Sequence, residues 1–380
     1  MEGLALVFTE HAKRFIAVAR QAFVGAFVRA FVRAAVVSVA GLGLLTLLGL
    51  LSPHFWLADR AADLRVQVAL LLGLLAMGLG LTRHLGIAAG ATGLALVNLA
   101  LLWPLLAPGL PRVVPGWWPG FLLPTPTVAQ AEPLVFVPAT PLQVLSANVW
   151  FRNHHYAAMR AAVRAAAPDV AVFLEVTPRW QRELALLRDG WPYQRWVPGQ
   201  GHDGVMVLSR LPWSAASAVA LEGAGSYDAL RVTVDLAGQP VDVLALHLRW
   251  PVTPGNAAAR EVALARLAKL ARQAPRPLVL VGDFNLTPHD GAFERLLTNG
   301  GLVNAAAASG LVTTWPASAG RWARHLPGLQ IDHCLVTHGI RAESFVLGPW
   351  VGSDHRPVLV RLEVPVRLNA PAEGRSTSPP

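Results

Sequence analysis

Cysteine is almost absent from this 380-residue chain, in which Cys334 is the only thiol. A single cysteine cannot form an internal disulfide, so an exported domain of this chain has to be stabilised by its hydrophobic core. Lysine is nearly as rare, because Lys13 and Lys269 are the only two. Arginine supplies the other basic residues, a bias that we attribute to the nucleotide composition of the source gene.

Charged residues are also scarce. Only 14% of the residues are charged and 53% are hydrophobic, which is too apolar for an ordinary soluble protein. The formal net charge is +9, yet the C-terminal part has no run of five or six basic residues. The sequence therefore lacks the electrostatic footprint of a dedicated nucleic-acid-binding protein.

Long uncharged runs are abundant in the first third of the chain. Twenty residues without a charge lie between Arg33 and His54, and similar runs cover residues 66–82 and 85–111. At about 1.5 Å per residue, each run crosses or nearly crosses about 30 Å of hydrocarbon. Buried helices of soluble proteins rarely lack charge for so long. The runs therefore predict three transmembrane helices within residues 34–111 rather than three core helices.

Basic residues precede these runs. Residues 1–33 contain Lys13 and four arginines among phenylalanines and valines, a pattern typical of an amphipathic helix lying on an anionic leaflet. The positive-inside rule keeps this segment in the cytoplasm, and three crossings then put the C-terminal part outside. A cleaved signal peptide fits badly, because the first apolar run begins after residue 33. We therefore expect a multi-pass protein of the cell inner membrane with a periplasmic or extracellular C-terminal domain.

A proline-rich stalk at 112–141 precedes this domain, which covers residues 142–365, and a polar tail at 366–380 is predicted to be disordered. The domain alternates between strand and helix patterns. A βαβ unit is predicted at its start, with a strand at 141–150, a helix at 155–167 and a strand at 168–176. Further strands are predicted around 204–209, 230–235, 241–247, 278–281, 329–336 and 356–363, with a long helix at 256–273 and a short helix at 291–298. The fold class is therefore α/β, and part of the sheet is parallel.

Polar residues end several of the predicted strands. The apolar run 278–281 predicts a strand buried on both faces, and Gly282 then lets the backbone turn towards Asp283 and Asn285. Six more polar residues end or interrupt apolar runs: Asn148, Glu175, His247, Asp332, Asp354 and His355. Taken alone, each is more often a turn cap, a solvated acid or a structural histidine. Together they supply the oxygens, amides and imidazoles needed to hold Mg²⁺ and hydrolyse a phosphate ester.

Seven sequence blocks resemble the endonuclease/exonuclease/phosphatase superfamily in content and order: SANVW, FLEV, GVMVLSR, LALHL, VGDFNLTP, IDHCLV and SDHRPV. They lie within residues 142–365, and the last three are very specific. The superfamily includes deoxyribonuclease I, and the membrane-tethered layout resembles a bacterial branch of it. The resemblance implies a deoxyribonuclease I-like α/β sandwich of two packed sheets flanked by helices, with its site at the carboxyl ends of strands.

The resemblance also implies a metal centre. By their positions in these blocks, Glu175 is the principal Mg²⁺ ligand, Asn148 lies close by and Asp354 completes the site. Carboxylate and amide oxygens suit an octahedral Mg²⁺ that keeps several of its waters, and Mn²⁺ is the alternative ion.

The same blocks assign the catalytic groups. His355 is the general base that deprotonates the attacking water, and Asp332 orients its imidazole. Asp283 and Asn285 hold the attacking water or the scissile phosphate, and His247 donates to a phosphate oxygen as charge builds.

Two further residues keep alternatives open. Asp203 either pairs with the second histidine, as a carboxylate does in the deoxyribonuclease I branch, or is an ordinary turn residue. Trp315 in TTWP lies either at the rim of the site or in the core.

We expect a membrane-anchored, Mg²⁺-dependent phosphohydrolase, acting as a phosphodiesterase, a nuclease or a phosphatase. Its partners are the membrane and a phosphoester substrate, which is a lipid headgroup, a nucleic acid or a small phosphoester; no protein partner can be inferred. The alternative is a membrane-anchored binding module of the same fold that has lost activity. Such modules typically lose the metal Glu, the D-x-N pair or the terminal Asp-His, and all of these are present here.

Overall fold

The structure, a computed structural model, describes residues 2–52, 55–106, 138–199, 201–221, 229–317, 327–337 and 339–365. The chain divides into two compact units: Met1–Leu51 with Arg60–Leu102, and Ser52–Asp59 with Trp103–Pro380. Most of the predicted stalk at 112–141 and the whole tail at 366–380 lie outside the described residues.

The N-terminal region is helical. Its helices are α1 (Glu2–Leu50), α2 (Trp56–Asp63), α3 (Arg65–Leu81) and α4 (Leu85–Leu106). α1 continues without a break through residue 33, so the predicted boundary between a surface helix and a first span is not a helix end. The buried side chain of Asn98 on α4 donates a 2.9 Å hydrogen bond to Thr46 on α1, which joins these helices with a polar contact.

Two stretches in the described residues, Arg14–Leu50 and Leu85–Trp103, are long and apolar enough to cross a membrane. The predicted second span, residues 66–82, corresponds to α3. This helix meets α2 at a 55° bend, and the count in the described residues reaches three only if the pair forms one span. The prediction of three transmembrane helices is therefore supported only in part. The reason is length, because the 17 residues of α3 reach about 26 Å, short of about 30 Å of hydrocarbon.

The domain that follows alternates strands and helices. In chain order its elements are β1 (Ala139–Asn148), α5 (Tyr156–Ala166), β2 (Val170–Leu174), α6 (Pro178–Ala185), β3 (Tyr193–Val197), β4 (Val205–Ser209), β5 (Trp213–Val219), β6 (Ala229–Leu236), β7 (Gln239–His247), α7 (Pro254–Arg272), β8 (Leu278–Asp283), α8 (Gly291–Gly300), β9 (Leu302–Asn304), β10 (Asp332–Thr337), β11 (Arg341–Leu347) and β12 (Val358–Pro365).

These strands form two six-stranded sheets. One has the order β11–β12–β1–β2–β4–β3 and the other the order β5–β6–β7–β8–β10–β9. Each sheet contains one parallel pair, β1 with β2 and β7 with β8, and the other described pairs are antiparallel. α5 connects the first parallel pair, so the predicted βαβ unit is confirmed. α7 connects the second pair in the same way.

Alternate strand residues build three apolar layers. Val172 of β2 and Val243 of β7 belong to a valine-rich layer between the sheets. Phe173, the next residue of β2, packs instead with Met159 of α5 and Trp180 of α6. On the other sheet, α7 and α8 pack against the second face of β8. Because neighbouring residues of a strand point to opposite faces, this alternation produces the predicted α/β sandwich of two sheets flanked by helices.

Polar side chains start the helices that flank the sheets. Thr253 accepts a hydrogen bond from the N–H of Asn256 at the first turn of α7, and Pro254 occupies the first helical position. Asp290 accepts from the N–H of Ala292 at the start of α8. Each cap satisfies a backbone donor that lacks a partner in the helix. The caps fix where the chain turns back after β7 and β8.

Candidate active site

The two parallel pairs bring their carboxyl ends, and the polar residues there, to one place. Asn148 ends β1, and Glu175 follows β2 directly. His247 and Asp283 end β7 and β8 as direct partners in the ladder. The Nδ2 of Asn148 lies 2.9 Å from Glu175 Oε1 and 3.3 Å from Asp283 Oδ2, so its amide connects the two sheets. The site is therefore shared between the sheets.

Gly282 is required at the end of β8. Its φ is +147°, and a Cβ atom there would lie 1.9 Å from the carbonyl oxygen of Leu246 on the neighbouring strand. Any side chain would push β7 and β8 apart immediately before His247 and Asp283. The strand continues through Gly282 to Asp283, so the glycine is required by the close approach of β7 and not, as predicted, by a turn of the backbone.

Glu175 is held in position by its neighbours. Asn148 donates to its Oε1, and the backbone N–H of Phe151 donates to its Oε2 at 3.1 Å. Its backbone has a left-handed φ of +57°, which costs a non-glycine residue about 1 kcal/mol or more. The Oδ1 of Asn148 accepts from the N–H of Trp150, so the amide is itself oriented. The carboxylate next to β2 is thus fixed at the edge of the sheet.

Asp354 offers the second carboxylate of the predicted metal centre. The indole N–H of Trp315 donates to its Oδ2 over a long 3.4 Å, while its Oδ1 is buried and has no hydrogen-bond partner within the described residues. Burial raises the pKa of Asp354, and the negative charge of Glu175 adds to the rise, whereas His355 and Trp315 oppose it. An unpartnered buried carboxylate oxygen near a second carboxylate is unstable without a positive charge.

His355 and Asp332 form the predicted pair. The Nδ1–H of His355 donates to Asp332 Oδ2 at 2.8 Å, which leaves Nε2 without a hydrogen-bond partner in the described part of the chain. The hydroxyl oxygen of Thr314 accepts from the N–H of Asp332 at 3.2 Å and supports the carboxylate from its own backbone. Both partners of the dyad are buried. The imidazole therefore has one fixed orientation.

Asp283 lies between two imidazoles. Its Oδ2 is 3.6 Å from His247 Nε2 and 3.7 Å from His355 Nε2, and its Oδ1 accepts the N–H of Asn285 at 2.9 Å. Asp283, Asp332 and His355 offer atoms within 4.8 Å of one another, a spacing that could hold a metal ion. Asn285, with a left-handed φ of +50°, donates from its amide to the carbonyl of Leu248 at 2.8 Å.

Burial and mutual charge shift the titration of this cluster. Burial raises the pKa of Asp283 to about 6, and the nearby Asp332 adds to the rise, while the two imidazoles lower it. Burial by itself lowers the pKa of His355, but Asp332, Asp283 and Asp354 overcome it and raise that pKa to about 10. The carboxylates thus favour positive charge in their midst.

The partnership suggested for Asp203 is not found among the described residues. His247 has its ion-pair contact with Asp283 instead, and Asp203 lies exposed in the loop between β3 and β4. The physical reason is the ladder, because His247 and Asp283 are paired across neighbouring parallel strands. Trp315 is half-buried, and its indole N–H donates to Asp354. It is therefore neither a fully buried core residue nor an exposed residue of the rim.

Sequence reasoning missed the residues that support the site from behind. Ser353 donates from its hydroxyl to the carbonyl of Asn148 at 2.7 Å and accepts the N–H of His355 at 3.0 Å. It ties the loop before β12 to the end of β1. A serine two residues before the histidine, in SDH, was the available signal, because short hydroxyl side chains often bond the backbone two residues on.

The arrangement defines an α/β sandwich with four carboxylates and two imidazoles where the central strands of both sheets end. The model of the endonuclease/exonuclease/phosphatase family matches residues 145–355, more than half of the chain. The chain belongs to the endonuclease/exonuclease/phosphatase family, and its fold is that of a phosphoester-processing enzyme. No curated protein sequence matches it.

Several solved structures are similar. An endonuclease/exonuclease/phosphatase from Beutenbergia cavernae is 24% identical, with a TM-score of 0.49, over 60% of this chain and 72% of that one. Truncated TDP2 from Caenorhabditis elegans is 16% identical, with a TM-score of 0.47, over 58% and 97% of the two chains. Sphingomyelinase C from Streptomyces griseocarneus is 21% identical, with a TM-score of 0.45, over 60% and 99%.

Proposed function

We propose that this protein is a membrane-anchored, Mg²⁺-dependent phosphoester hydrolase in which a histidine activates the attacking water. The observation that carries the proposal is the His355–Asp332 hydrogen bond of 2.8 Å, which commits Nδ1 and leaves Nε2 as the reactive atom. A neighbouring pair of carboxylates, Glu175 and Asp354, supplies the oxygens that a hard cation prefers. The substrate is a phosphoester of a lipid headgroup, a nucleic acid or a small molecule.

Glu175 and Asp354 are the residues that would hold the ion, with Mn²⁺ as an alternative to Mg²⁺. The buried, unpartnered Oδ1 of Asp354 supports this assignment. The Asp283–Asp332–His355 group fits an ion less well, because Asp332 already accepts the Nδ1–H of His355. When bound between Glu175 and Asp354, a divalent ion would supply positive charge that polarises a phosphoryl oxygen and would lower the pKa of the nearby imidazole.

His355 then acts as the general base. Its Nε2 accepts the proton of the attacking water, and Asp332 holds the ring in one orientation and stabilises the imidazolium that forms. Asn148 orients Glu175 through a 2.9 Å hydrogen bond and in this way contributes to the metal centre from its amide nitrogen. The acid–base step thus pairs His355, which precedes β12 of the first sheet, with Asp332 of β10 in the second sheet, and Glu175 follows β2 of the first.

Asp283, Asn285 and His247 act on the phosphate and the water. Asp283 Oδ2 lies 3.7 Å from His355 Nε2, so it faces the same space as the base and positions the attacking water. His247 and the amide of Asn285 donate to phosphoryl oxygens, where negative charge develops in the transition state. The ring of His247 is kept close to Asp283 by the parallel β7–β8 ladder.

We place the hydrolase domain outside the cytoplasm, in the periplasm or the extracellular space. This location follows if α2 and α3 cross as one bent span, because an odd number of crossings separates the two ends of the chain. Anchoring by the N-terminal helices favours a substrate at or near the membrane, such as a lipid headgroup.

The test is a turnover panel with the purified full chain in detergent micelles. Plasmid DNA, RNA, sphingomyelin, phosphatidylinositol phosphates and bis-p-nitrophenyl phosphate are each offered with Mg²⁺ and with EDTA. We expect Mg²⁺-dependent hydrolysis of at least one, which Glu175→Gln abolishes because a neutral amide is a poor ligand for a hard dication.

Glu261→Gln is the matched control, since Glu261 is exposed and pairs with Arg295 at 3.2 Å away from the strand ends. An exposed ion pair contributes little, so this variant should keep its rate within about twofold. A folded wild type that hydrolyses none of the panel would instead indicate the alternative, a binding module without activity.

A further inference from the structure

A fully buried arginine lies behind the site. Arg260, in the first half of α7, is 0% exposed, and its NH1 donates a 3.0 Å hydrogen bond to the backbone carbonyl of Asn285. Two other arginines of the same helix, Arg266 and Arg272, are exposed and also donate to backbone carbonyls. Burying a guanidinium costs much more free energy than leaving it exposed, so the contacts of Arg260 have to offset that cost.

Two carboxylates lie close to Arg260. Its NH2 is 3.8 Å from Asp290 Oδ2 and 3.9 Å from Asp59 Oδ2. Opposite charges at this separation offset part of the cost of burying the guanidinium. The 3.0 Å hydrogen bond from NH1 joins the same guanidinium to the backbone of Asn285.

Asn285 is restrained at three of its polar groups. Its N–H donates to Asp283 Oδ1 at 2.9 Å, its Nδ2 donates to Leu248 O at 2.8 Å, and its carbonyl accepts from Arg260. Its φ of +50° is left-handed, a conformation that asparagine adopts more readily than other non-glycine residues. Asp283 and Leu248 belong to the strand ends, and only the third restraint comes from a helix.

We infer that Arg260 is a positioning residue that holds the backbone of Asn285 so that its amide points at the phosphoryl oxygen. The inference rests on the proposed function, in which Asn285 donates to the phosphate. Arg260 does not touch the substrate and acts through the Asn285 carbonyl. The planar guanidinium of arginine fixes the direction of such a bond, which the flexible ammonium of lysine does not.

The test uses the full chain in detergent with Mg²⁺ and bis-p-nitrophenyl phosphate. Arg260→Lys keeps the positive charge but replaces the planar guanidinium with a flexible ammonium group. We expect its kcat to fall about tenfold while KM stays within about twofold, since a small misplacement of a transition-state donor affects mainly the chemical step. Arg272→Met, which removes an arginine that bonds the carbonyl of Asn299, is the matched control and keeps its kcat.

Coupling to Asn285 separates positioning from general support of the fold. Asn285→Ala alone should lower kcat about 100-fold, as loss of a transition-state donor does. Adding Arg260→Lys to Asn285→Ala should cost less than about twofold, because the group that it positions is already gone. A tenfold loss in that background, or an unchanged kcat for Arg260→Lys alone, would overturn the inference.

Folding provides the remaining check. The melting temperature is measured for each variant, and Arg260→Gln serves as a second substitution if Arg260→Lys does not fold. Failure of both to fold would show that Arg260 supports the domain as a whole and would also overturn the inference. If the wild type turns over another substrate of the panel but not this probe, the same variants are compared with that substrate. A folded wild type that hydrolyses none of the panel would remove the proposed function, whereas an active wild type with unaffected Arg260 variants would remove the positioning role alone.

Discussion

Asp332 and Asp283 are direct partners across the β8–β10 ladder, and their carboxylates approach the same imidazole at different nitrogens. Asp332 Oδ2 is 2.8 Å from Nδ1 of His355, and Asp283 Oδ2 is 3.7 Å from Nε2. The antiparallel pairing of β8 and β10 therefore places one carboxylate at each nitrogen of His355: Nδ1 is hydrogen-bonded to Asp332, and Nε2 is the nitrogen proposed to accept a proton. Asp332 and His355 should behave as one catalytic unit, which mutation can test.

The first prediction concerns this unit. His355→Ala and Asp332→Ala should each lower turnover by roughly 10²- to 10⁴-fold, because general-base catalysis contributes that much. The double variant should be little slower than His355→Ala, since effects within one catalytic unit are not additive. Rates of the full chain are measured beside melting temperatures, with the exposed His154→Ala as the control.

Multiplicative rate losses in the double variant would contradict the coupled pair. A change in melting temperature without a change in turnover per folded molecule would show that Asp332 only supports the strand end. In that case the loss of one hydrogen bond should cost about 1 kcal/mol.

The second prediction concerns Trp315, whose indole N–H donates a hydrogen bond to Asp354 Oδ2. Trp315→Phe removes this donor and keeps an aromatic ring, so the carboxylate loses its orientation. The Mg²⁺ concentration for half-maximal turnover should rise about tenfold, as loss of a group that orients a metal ligand does. Trp213→Phe, on β5 and beside Tyr193, is the control. Equal Mg²⁺ dependence in both variants would exclude this role.

The third prediction concerns His333, which lies next to Asp332 but has the opposite titration. Burial lowers its pKa from the usual 6.5 to about 4, while its Nε2–H donates to the carbonyl of Leu286 at 2.8 Å. Below pH 6.5 the unfolded chain binds a proton that the folded chain does not. His333 therefore makes stability fall as the pH drops towards 4, by at most about 1.4 kcal/mol per pH unit.

Asp283, whose pKa is raised to about 6, makes stability rise as the pH falls over part of the same range. Comparing His333→Gln with the wild type isolates the contribution of His333, because Asp283 is present in both. The variant should be less stable than the wild type near neutral pH, and the difference should shrink as the pH falls. Chemical-denaturation midpoints of the full chain between about pH 7 and pH 4.5 measure it. His154→Gln is the control, and parallel curves for His333→Gln and the wild type would refute the prediction.

The fourth prediction concerns topology and depends on the bent pair α2–α3. If this pair crosses as one span, three crossings put the C-terminus outside the cytoplasm. A phosphatase reporter fused to the C-terminus of the full chain should then be active and a fluorescent reporter at the same place dark. With two crossings the pattern reverses, and the hydrolase domain would share the cytoplasm with the N-terminus.

Sequence patterns predicted the inner strands of both sheets and missed the edges. The four strands that escaped prediction, β3, β5, β9 and β11, are the four edge strands. Edge strands are partly exposed, so they lack the apolar runs that identify β2 or β8, in which every residue is buried. The helix α6 was also missed, since it is short and strongly polar on one side.

The site was predictable where single residues end inner strands, as Glu175 and Asp283 do. Sequence spacing could not show the contacts between distant segments, such as Trp315 with Asp354 or Arg260 with Asn285. Those contacts depend on how helices and loops pack against the strand ends, which follows from tertiary structure. Of the two settings left open for Asp203, the structure shows an exposed loop residue, and His247 contacts Asp283 across parallel strands.

The pairing of β1 with β12 joins the two ends of the domain, with Ser146 next to Val358. β1 is the first strand of the domain to be synthesised, and it can pair with β12 only after the last strand has been made. Contacts between residues so far apart in the sequence slow folding. Asp354 and His355 lie just before β12, so a nascent chain lacks the proposed base and one proposed metal ligand until almost the whole domain has been made. Under the proposed mechanism, a chain truncated before Asp354 should therefore be inactive.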